Sequence, residues 1–161
     1  MRIIDFTGQE NIRSEGHTSK GDQPKWKQAG NWYKADHMGY EALSEIIVSR
    51  LLAWSDADDF VSYQPVRIHY NGKVVSGCSS RDFMRKGEML IPFERLHRAY
   101  EGRGLAQTLT RVDSPTARIA YTVDFVERVT NLTGVGAYLT SILELDCLTL
   151  NEDRHTNNLA V

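Results

Sequence analysis

The last eleven residues of the chain read Asn151-Glu152-Asp153-Arg154-His155-Thr156-Asn157-Asn158-Leu159-Ala160-Val161. This stretch is rich in groups that transfer protons or bind metal ions. Asp153 precedes Asn158 in the spacing D-x-x-x-x-N, which is that of phosphoryl-transfer catalytic loops. In such loops the aspartate accepts the proton of the attacking hydroxyl, and the asparagine binds a magnesium ion. Asp153 and Asn158 are therefore the first candidates for a catalytic site.

The bulk composition is that of a soluble globular protein. The chain has 161 residues, of which 41% are hydrophobic and 25% are charged, and this length suffices for one domain or two small lobes. The net charge of -2 gives no electrostatic reason to expect nucleic acid or an anionic membrane as a partner. No apolar stretch approaches the roughly 20 residues of a membrane span. Cys78 and Cys147 lie far apart in the sequence, which favours reduced thiols and a cytoplasmic protein.

The first 91 residues carry the patterns of β-structure. Four segments show strand-like alternation or turn residues, namely 2–6, 26–36, 60–80 and 87–91. The second and third segments are predicted hairpins, and Asn71-Gly72 is a strong type I′ turn signal for the third. These patterns predict a small, mostly antiparallel sheet.

One helix is predicted within this β-rich part, over residues 41–54. Its apolar residues recur at helical spacing and form one stripe, which consists of Leu43, Ile46, Ile47, Leu51 and Trp54. Glu41 and Glu45 are one turn apart and therefore share a face of this helix. We expect the helix to lie against the sheet.

The remainder of the chain, from Pro92 onward, is predicted to be helical. Ser114 and Pro115 are typical of a helix start, as N-cap and first helical residue. Gly134 is predicted to end the helix region that follows, and 135–148 forms the last helix. Asp146 continues the apolar stripe of that helix, so it is either a paired buried carboxylate or the beginning of a site. The pattern predicts an α+β fold that divides near Pro92 into residues 1–91 and 92–161.

This order of parts is that of a protein kinase, and four short motifs resemble those of the HipA-like kinases. The segment 148–158 resembles their catalytic loop, N-x-D-R/G-H-x-x-N after an apolar helix. Gly21-Asp22-Gln23-Pro24-Lys25 resembles their phosphate loop, G-x-Q-x-K. Trp32-Tyr33-Lys34 is similar to the strand with the nucleotide lysine, and Gly39-Tyr40-Glu41 to the start of the helix with its glutamate partner. The resemblance implies a protein-kinase-like fold, with an antiparallel β N-lobe carrying one helix and a partial all-helical C-lobe.

The resemblance also implies roles for the catalytic-loop residues. Asp153 would orient and deprotonate a protein serine or threonine hydroxyl and would share the magnesium ion with Asn158. Without the motif, Asp153 reads as an acidic loop residue and Asn158 as a turn asparagine. His155 and Arg154 are interpreted as residues that shape the loop, because no second histidine or cysteine stands at metal-ligand spacing to His155.

For the nucleotide the resemblance implies ATP bound by the first lobe. Lys34 would contact the α- and β-phosphates, and Glu41 would hold Lys34 in an ion pair, with Glu45 as the competing partner. The predicted phosphate loop consists of Gly21, Gln23 and Lys25. From the residues alone, Lys34 also reads as a solvated strand lysine, and the loop as a plain turn with scattered lysines.

The resemblance leaves other possibilities open. Kinases hold magnesium with a second acidic residue after the catalytic loop, and no residue follows Val161 in this sequence. We therefore expect activity to depend on further residues, and apolar surface on the helices of 105–148 to favour self-association or an antitoxin-like partner. Thr18 and Ser19 lie in the region where some members are autophosphorylated. The alternatives are a pseudokinase-like module that binds nucleotide or protein, and an unrelated α+β domain.

Overall fold

The computed structural model describes residues 2–12, 23–152 and 154–161. They form two compact units, Met1–Lys86 and Gly87–Val161. The first contains strands and one helix and the second contains helices, so the predicted α+β class is confirmed. Ile91 belongs to the second unit, because its backbone exchanges hydrogen bonds of 2.8 and 3.1 Å with Val161. The expected strand at 87–91 is not formed. Pro92, the next residue, makes an isolated β-bridge to Ala160.

The sheet of the first unit has five strands in the order β1-β4-β5-β3-β2. Their bounds are Ile3–Asp5 for β1, Lys25–Gln28 for β2, Asn31–Ala35 for β3, Gln64–Tyr70 for β4 and Lys73–Arg81 for β5. Three neighbouring pairs are antiparallel, but β1 pairs with β4 in parallel. The prediction of an antiparallel lobe is wrong at this edge. A parallel pair requires a long crossover, and here the chain passes through β2, β3 and a helix between the two strands.

Both predicted hairpins are confirmed. Each closes with two residues whose φ angles are positive, Ala29 (50°) with Gly30 (74°) and Asn71 (49°) with Gly72 (72°). Positive φ at both central residues defines a type I′ turn, whose twist matches that of the flanking strands. The turns thus set the register of β2 with β3 and of β4 with β5.

An aromatic cluster fills the concave side of the curled sheet. Phe6 stacks on Trp26, with ring centroids 4.8 Å apart and an interplanar angle of 2°, and Tyr70 meets Trp26 edge-on. Phe6 follows β1 and Trp26 lies on β2, so the stack joins the two edges of the sheet. The N–H of Ile12 donates to the carbonyl of Lys25 at 2.7 Å. This hydrogen bond also links the segment after β1 to β2.

The helix of this unit, α1, spans Glu41–Leu52 and contacts β4 and β5. Its predicted apolar stripe does not face the sheet. Leu43, Ile47 and Leu51 are 58%, 49% and 47% exposed, whereas Ala42 and Ser49 are buried. Polar groups of α1 and of its flanking loops make specific contacts on the buried side of the helix. One of these contacts is at the helix start, where the buried carboxylate of Asp36 accepts the N–H of Ala42 at 2.7 Å.

The second unit contains four helices around one apolar core. They are α2 (Phe93–Glu101), α3 (Leu105–Leu109), α4 (Pro115–Thr130) and α5 (Val135–Thr149). The core residues are Phe93, Leu96, Leu105, Phe125, Val126, Val135 and Leu139. The predicted cap is confirmed, since the Ser114 hydroxyl accepts the N–H of Ala117 at 3.1 Å. The predicted end at Gly134 is wrong: α4 ends at Thr130, the C-cap residue Asn131 adopts a left-handed conformation, and Gly134 precedes α5 instead.

Removing the carboxylate of Asp36 is expected to destabilise the first unit. Asp36→Ala leaves the N–H of Ala42 without its acceptor and should cost about 1–2 kcal/mol. Asp36→Asn keeps an acceptor oxygen and should cost less. Urea unfolding followed by tryptophan fluorescence measures this unit, because the three tryptophans, Trp26, Trp32 and Trp54, all belong to it. Equal losses in the two variants would contradict the capping role.

Candidate functional site

The strongest cluster of functional groups in the first unit centres on Lys34. This residue lies on β3, between β2 and β5 in the sheet. Its Nζ forms an ion pair with the Glu45 carboxylate of α1 and donates a hydrogen bond to the Oη of Tyr63 at 3.1 Å. The cluster therefore joins the sheet, the helix and the segment that precedes β4.

The surroundings keep Lys34 charged and Tyr63 neutral. Burial opposes the charge of Lys34, but the adjacent carboxylate of Glu45 and the hydrogen bonds outweigh it, so the pKa of Lys34 is raised. Burial raises the pKa of Tyr63, and Glu45 adds to this effect while Lys34 opposes it. An ammonium group has three N–H donors. Glu45 and Tyr63 take two of them, and the third has no partner among the described residues. The third donor is thus suited to an anionic ligand.

The predicted ion pair of Lys34 with Glu41 is wrong, because Glu41 is engaged elsewhere. Its carboxylate accepts the backbone N–H groups of the loop before α1, at 2.8 Å from Met38 and 3.0 Å from Gly39. His37 and Tyr40 donate to it at 3.3 and 3.2 Å. Burial opposes them, but these N–H groups lower the pKa of Glu41. Glu45, one turn further on, therefore forms the ion pair with Lys34 that was predicted for Glu41.

Two further donors of the predicted phosphate loop lie beside Lys34. Lys25 is directly opposite Lys34 in the pairing of β2 with β3, so their side chains share a face of the sheet. The carbonyl of Pro24 accepts the N–H of Ala35 at 3.0 Å, so the chain is bonded to β3 one residue before β2 begins, and Gln23 directly precedes this residue. The Nε2 of Gln23 is buried and has no hydrogen-bond partner in the described part of the chain. Gly21, the remaining predicted member, lies outside the described residues.

In the second unit, Asp146 anchors the segment that carries the D-x-x-x-x-N motif. Its two carboxylate oxygens accept hydrogen bonds from the Nε and Nη2 groups of Arg154, at 2.7 and 2.9 Å. The amide of Asn151 donates to Asp146 at 2.7 Å. Of the two alternatives for Asp146, the structure thus shows the paired buried carboxylate. The hydrogen bond from Arg154 is the chief cause of a lowered pKa for Asp146, and burial opposes it.

Glu94 is a second anchor of this segment, and sequence reasoning missed it. Its Oε2 accepts the hydroxyl of Thr156 at 2.8 Å and the N–H of Ala106 at 2.9 Å. Its own N–H donates to the carbonyl of Thr156 at 3.2 Å. Gly104 approaches so closely that an added Cβ would stand 1.9 Å from the Glu94 carboxylate. The sequence does place Glu94 in the first turn of a predicted helix. An acidic residue at that position indicates only a favourable interaction with the helix dipole.

The motif residues themselves are described in part. Asn158 is exposed, in a turn in which its N–H donates to the carbonyl of His155 at 2.8 Å. The Nδ1 of His155 accepts the N–H of Asn157 at 3.2 Å, a contact that shapes the loop as predicted. Asp153, the predicted base, lies outside the described residues. Within 2–12, 23–152 and 154–161, no three His, Cys, Asp or Glu side chains meet as a metal site.

Comparison of the chain with protein-family models, with curated proteins and with solved structures gave no match. None of the helices in the described residues is both long enough and apolar enough to cross a membrane.

The Asp146–Arg154 pair should stabilise the second unit in a pH-dependent manner. A lowered pKa means that the stabilisation is complete above the ordinary value of 3.8 and is lost as the pH falls below it. Asp146→Asn should reduce the free energy of unfolding by about 1–3 kcal/mol at neutral pH. It should also flatten the acid dependence between about pH 4 and pH 2, as followed by far-ultraviolet circular dichroism. The exposed Asp124 provides the control, since Asp124→Asn should change neither quantity.

Proposed function

We propose that the chain acts in ATP- and magnesium-dependent phosphoryl transfer to protein serine or threonine, as a HipA-like kinase or as part of one. The observation that carries this proposal is the Lys34 cluster. A half-buried lysine on an interior strand is held by a glutamate of the helix that follows. This is the arrangement by which kinases position a lysine against the α- and β-phosphates of ATP. The element order of strands, helix and hairpin followed by helices supports the same proposal.

The donors around Lys34 fit a polyphosphate. Among the described residues, one N–H group of Lys34 and the buried amide N–H₂ of Gln23 have no partner, and Lys25 stands directly opposite Lys34. Phosphate oxygens are strong acceptors for such charged donors.

For magnesium, the exposed amide of Asn158 is an oxygen ligand of the type that a hard cation prefers. In the proposal Asp153 supplies the second oxygen and acts as the base toward the acceptor hydroxyl. Asp146 and Glu94 would position this loop, because they bind Arg154 and Thr156 on either side of His155. Bound magnesium would neutralise the charge that develops on the transferred phosphoryl group.

Nucleotide binding without transfer is the second candidate function. It is favoured by the fact that the Lys34, Lys25 and Gln23 donors all belong to one hairpin of the first unit. Such a module would need neither Asp153 nor Asn158. Transfer of labelled phosphate from ATP to protein distinguishes the two functions. In either case we propose a cytoplasmic protein with protein partners, such as a substrate or an antitoxin.

Lys34 should be required for ATP binding. Lys34→Met keeps the aliphatic volume but removes the charged donor, and should weaken Mg-ATP binding at least tenfold, on the order of one charge-assisted hydrogen bond. Isothermal titration calorimetry measures the affinity. The matched control is Lys27→Met on the neighbouring strand, since Lys27 forms an ion pair with Asp82. The Mg-ATP affinity of this variant should be unchanged. If the unaltered chain shows no affinity for Mg-ATP, both candidate functions are wrong.

The two glutamates of α1 should differ in their effect on nucleotide binding. Glu45→Gln weakens the anchor of Lys34 and should lower the ATP affinity several-fold, about 1 kcal/mol for one charge-assisted contact. Glu41→Gln should leave the affinity unchanged, because Glu41 contacts only the loop before the helix. The same titration measures both, and thermal unfolding confirms that each variant is folded. A larger loss in Glu41→Gln would restore Glu41 as the partner of Lys34.

A further inference from the structure

The outward face of α1 carries an apolar stripe that the fold does not use. Its members are 47% to 85% exposed, and we define the α1 stripe by them: Tyr40, Leu43, Ile47, Leu51 and Trp54. At about 100° per residue they fall within an arc of about 80°. Tyr40 directly precedes the helix, and Trp54 continues it by a tighter turn, with its N–H bonded to the carbonyl of Leu51.

The opposite face of α1 explains why the stripe points outward. Ala42 and Ser49 are buried, and Glu45 pairs with Lys34 on the same side. Ser49 also accepts the N–H of Tyr63 at 3.2 Å through its hydroxyl. The side of α1 that faces the sheet therefore includes small and polar side chains, while the five side chains of the stripe stay in solvent. A continuous apolar patch of this kind marks an interaction surface.

The spacing of the α1 stripe is symmetric about Ile47. Leu43 and Leu51 each lie four residues from Ile47, and Tyr40 and Trp54 each lie seven residues from it. If a second copy of α1 lies antiparallel, Ile47 meets Ile47, Leu43 meets Leu51, and Tyr40 meets Trp54. Each contact then occurs twice, as a two-fold symmetric interface requires. We propose that the α1 stripe is a homodimer interface, with an antiparallel partner copy and a two-fold axis at Ile47.

The charges that follow the stripe select the antiparallel direction. Asp56, Asp58 and Asp59 come directly after it, are exposed, and form no ion pair with any described residue. A parallel pair would bring six carboxylates together. An antiparallel pair separates the two acidic turns. A helix from a different protein would not require the symmetric spacing.

The interface should be weak. Five large side chains per copy are far fewer than the 20–30 residues per partner of a standard interface. We therefore expect a dissociation constant in the micromolar to submillimolar range, and an equilibrium that changes with protein concentration. The dimer needs no nucleotide, so its test is independent of the proposed function.

Sedimentation velocity between about 1 µM and 1 mM, without nucleotide, should show a shift from monomer to dimer. In the proposed dimer, Leu51→Asp places one carboxylate of each copy against Leu43 of the other copy. This substitution should weaken association at least about 30-fold. Leu51 is already half exposed, so the variant should fold normally, as circular dichroism can verify. Val74→Asp, at another exposed apolar residue of the same unit, is the control and should dimerise like the unaltered chain.

Oxidative cross-linking tests whether the two-fold axis lies at Ile47. In a Cys147→Ser background, which removes the exposed native thiol, Ile47→Cys should form a disulfide-linked dimer because a residue on the axis faces its own copy. Ile119→Cys, similarly exposed on α4, should cross-link much more slowly. A chain that stays monomeric throughout the series would overturn the proposal. So would a dimer that is insensitive to Leu51→Asp, or equal cross-linking at the two positions.

Discussion

The ion pair between Lys34 and Glu45 links the sheet of the first unit to its helix. It joins the interior strand β3 to α1, and Tyr63 extends the link to the segment before β4. Glu45 lies on the face of α1 that contacts the sheet, together with the buried Ala42 and Ser49, and the α1 stripe lies on the opposite face. A candidate phosphate site and a candidate interaction surface are consequently opposite sides of one helix. The two charged side chains are half-buried, and each charge is matched by the other.

The second unit uses the same principle to hold a loop. Asp146 of α5 and Glu94 of α2 are acidic side chains that bind Arg154 and Thr156 in the segment of the D-x-x-x-x-N motif, and Glu94 also binds the start of α3 and Arg98 of its own helix. The apolar core beneath them, around Phe93 and Phe125, joins the helices without specifying the loop. Directional hydrogen bonds then determine its conformation, since apolar packing is not directional.

Sequence reasoning succeeded where the signal was local. The Asn71-Gly72 turn, the Ser114 cap and the existence of α1 and α5 depend on residues within one or two turns of each other. It failed where the outcome depended on partners far along the chain. The parallel pairing of β1 with β4 is one case. The choice of Glu45 rather than Glu41 is another, because both lie on one face of α1 and only the loop before the helix, which engages Glu41, separates them.

The amino-acid sequence by itself determined the hairpins, the helices, the division into a β-rich and a helical part, and the set of polar residues from which a phosphoryl-transfer site is proposed. Those features follow from backbone preferences and periodicity, which are properties of neighbouring residues. Only the tertiary structure decided the rotation of α1, the partner of Lys34 and the role of Asp146. Each of these is a competition between several nearby partners, and its outcome depends on three-dimensional distances that periodicity does not contain.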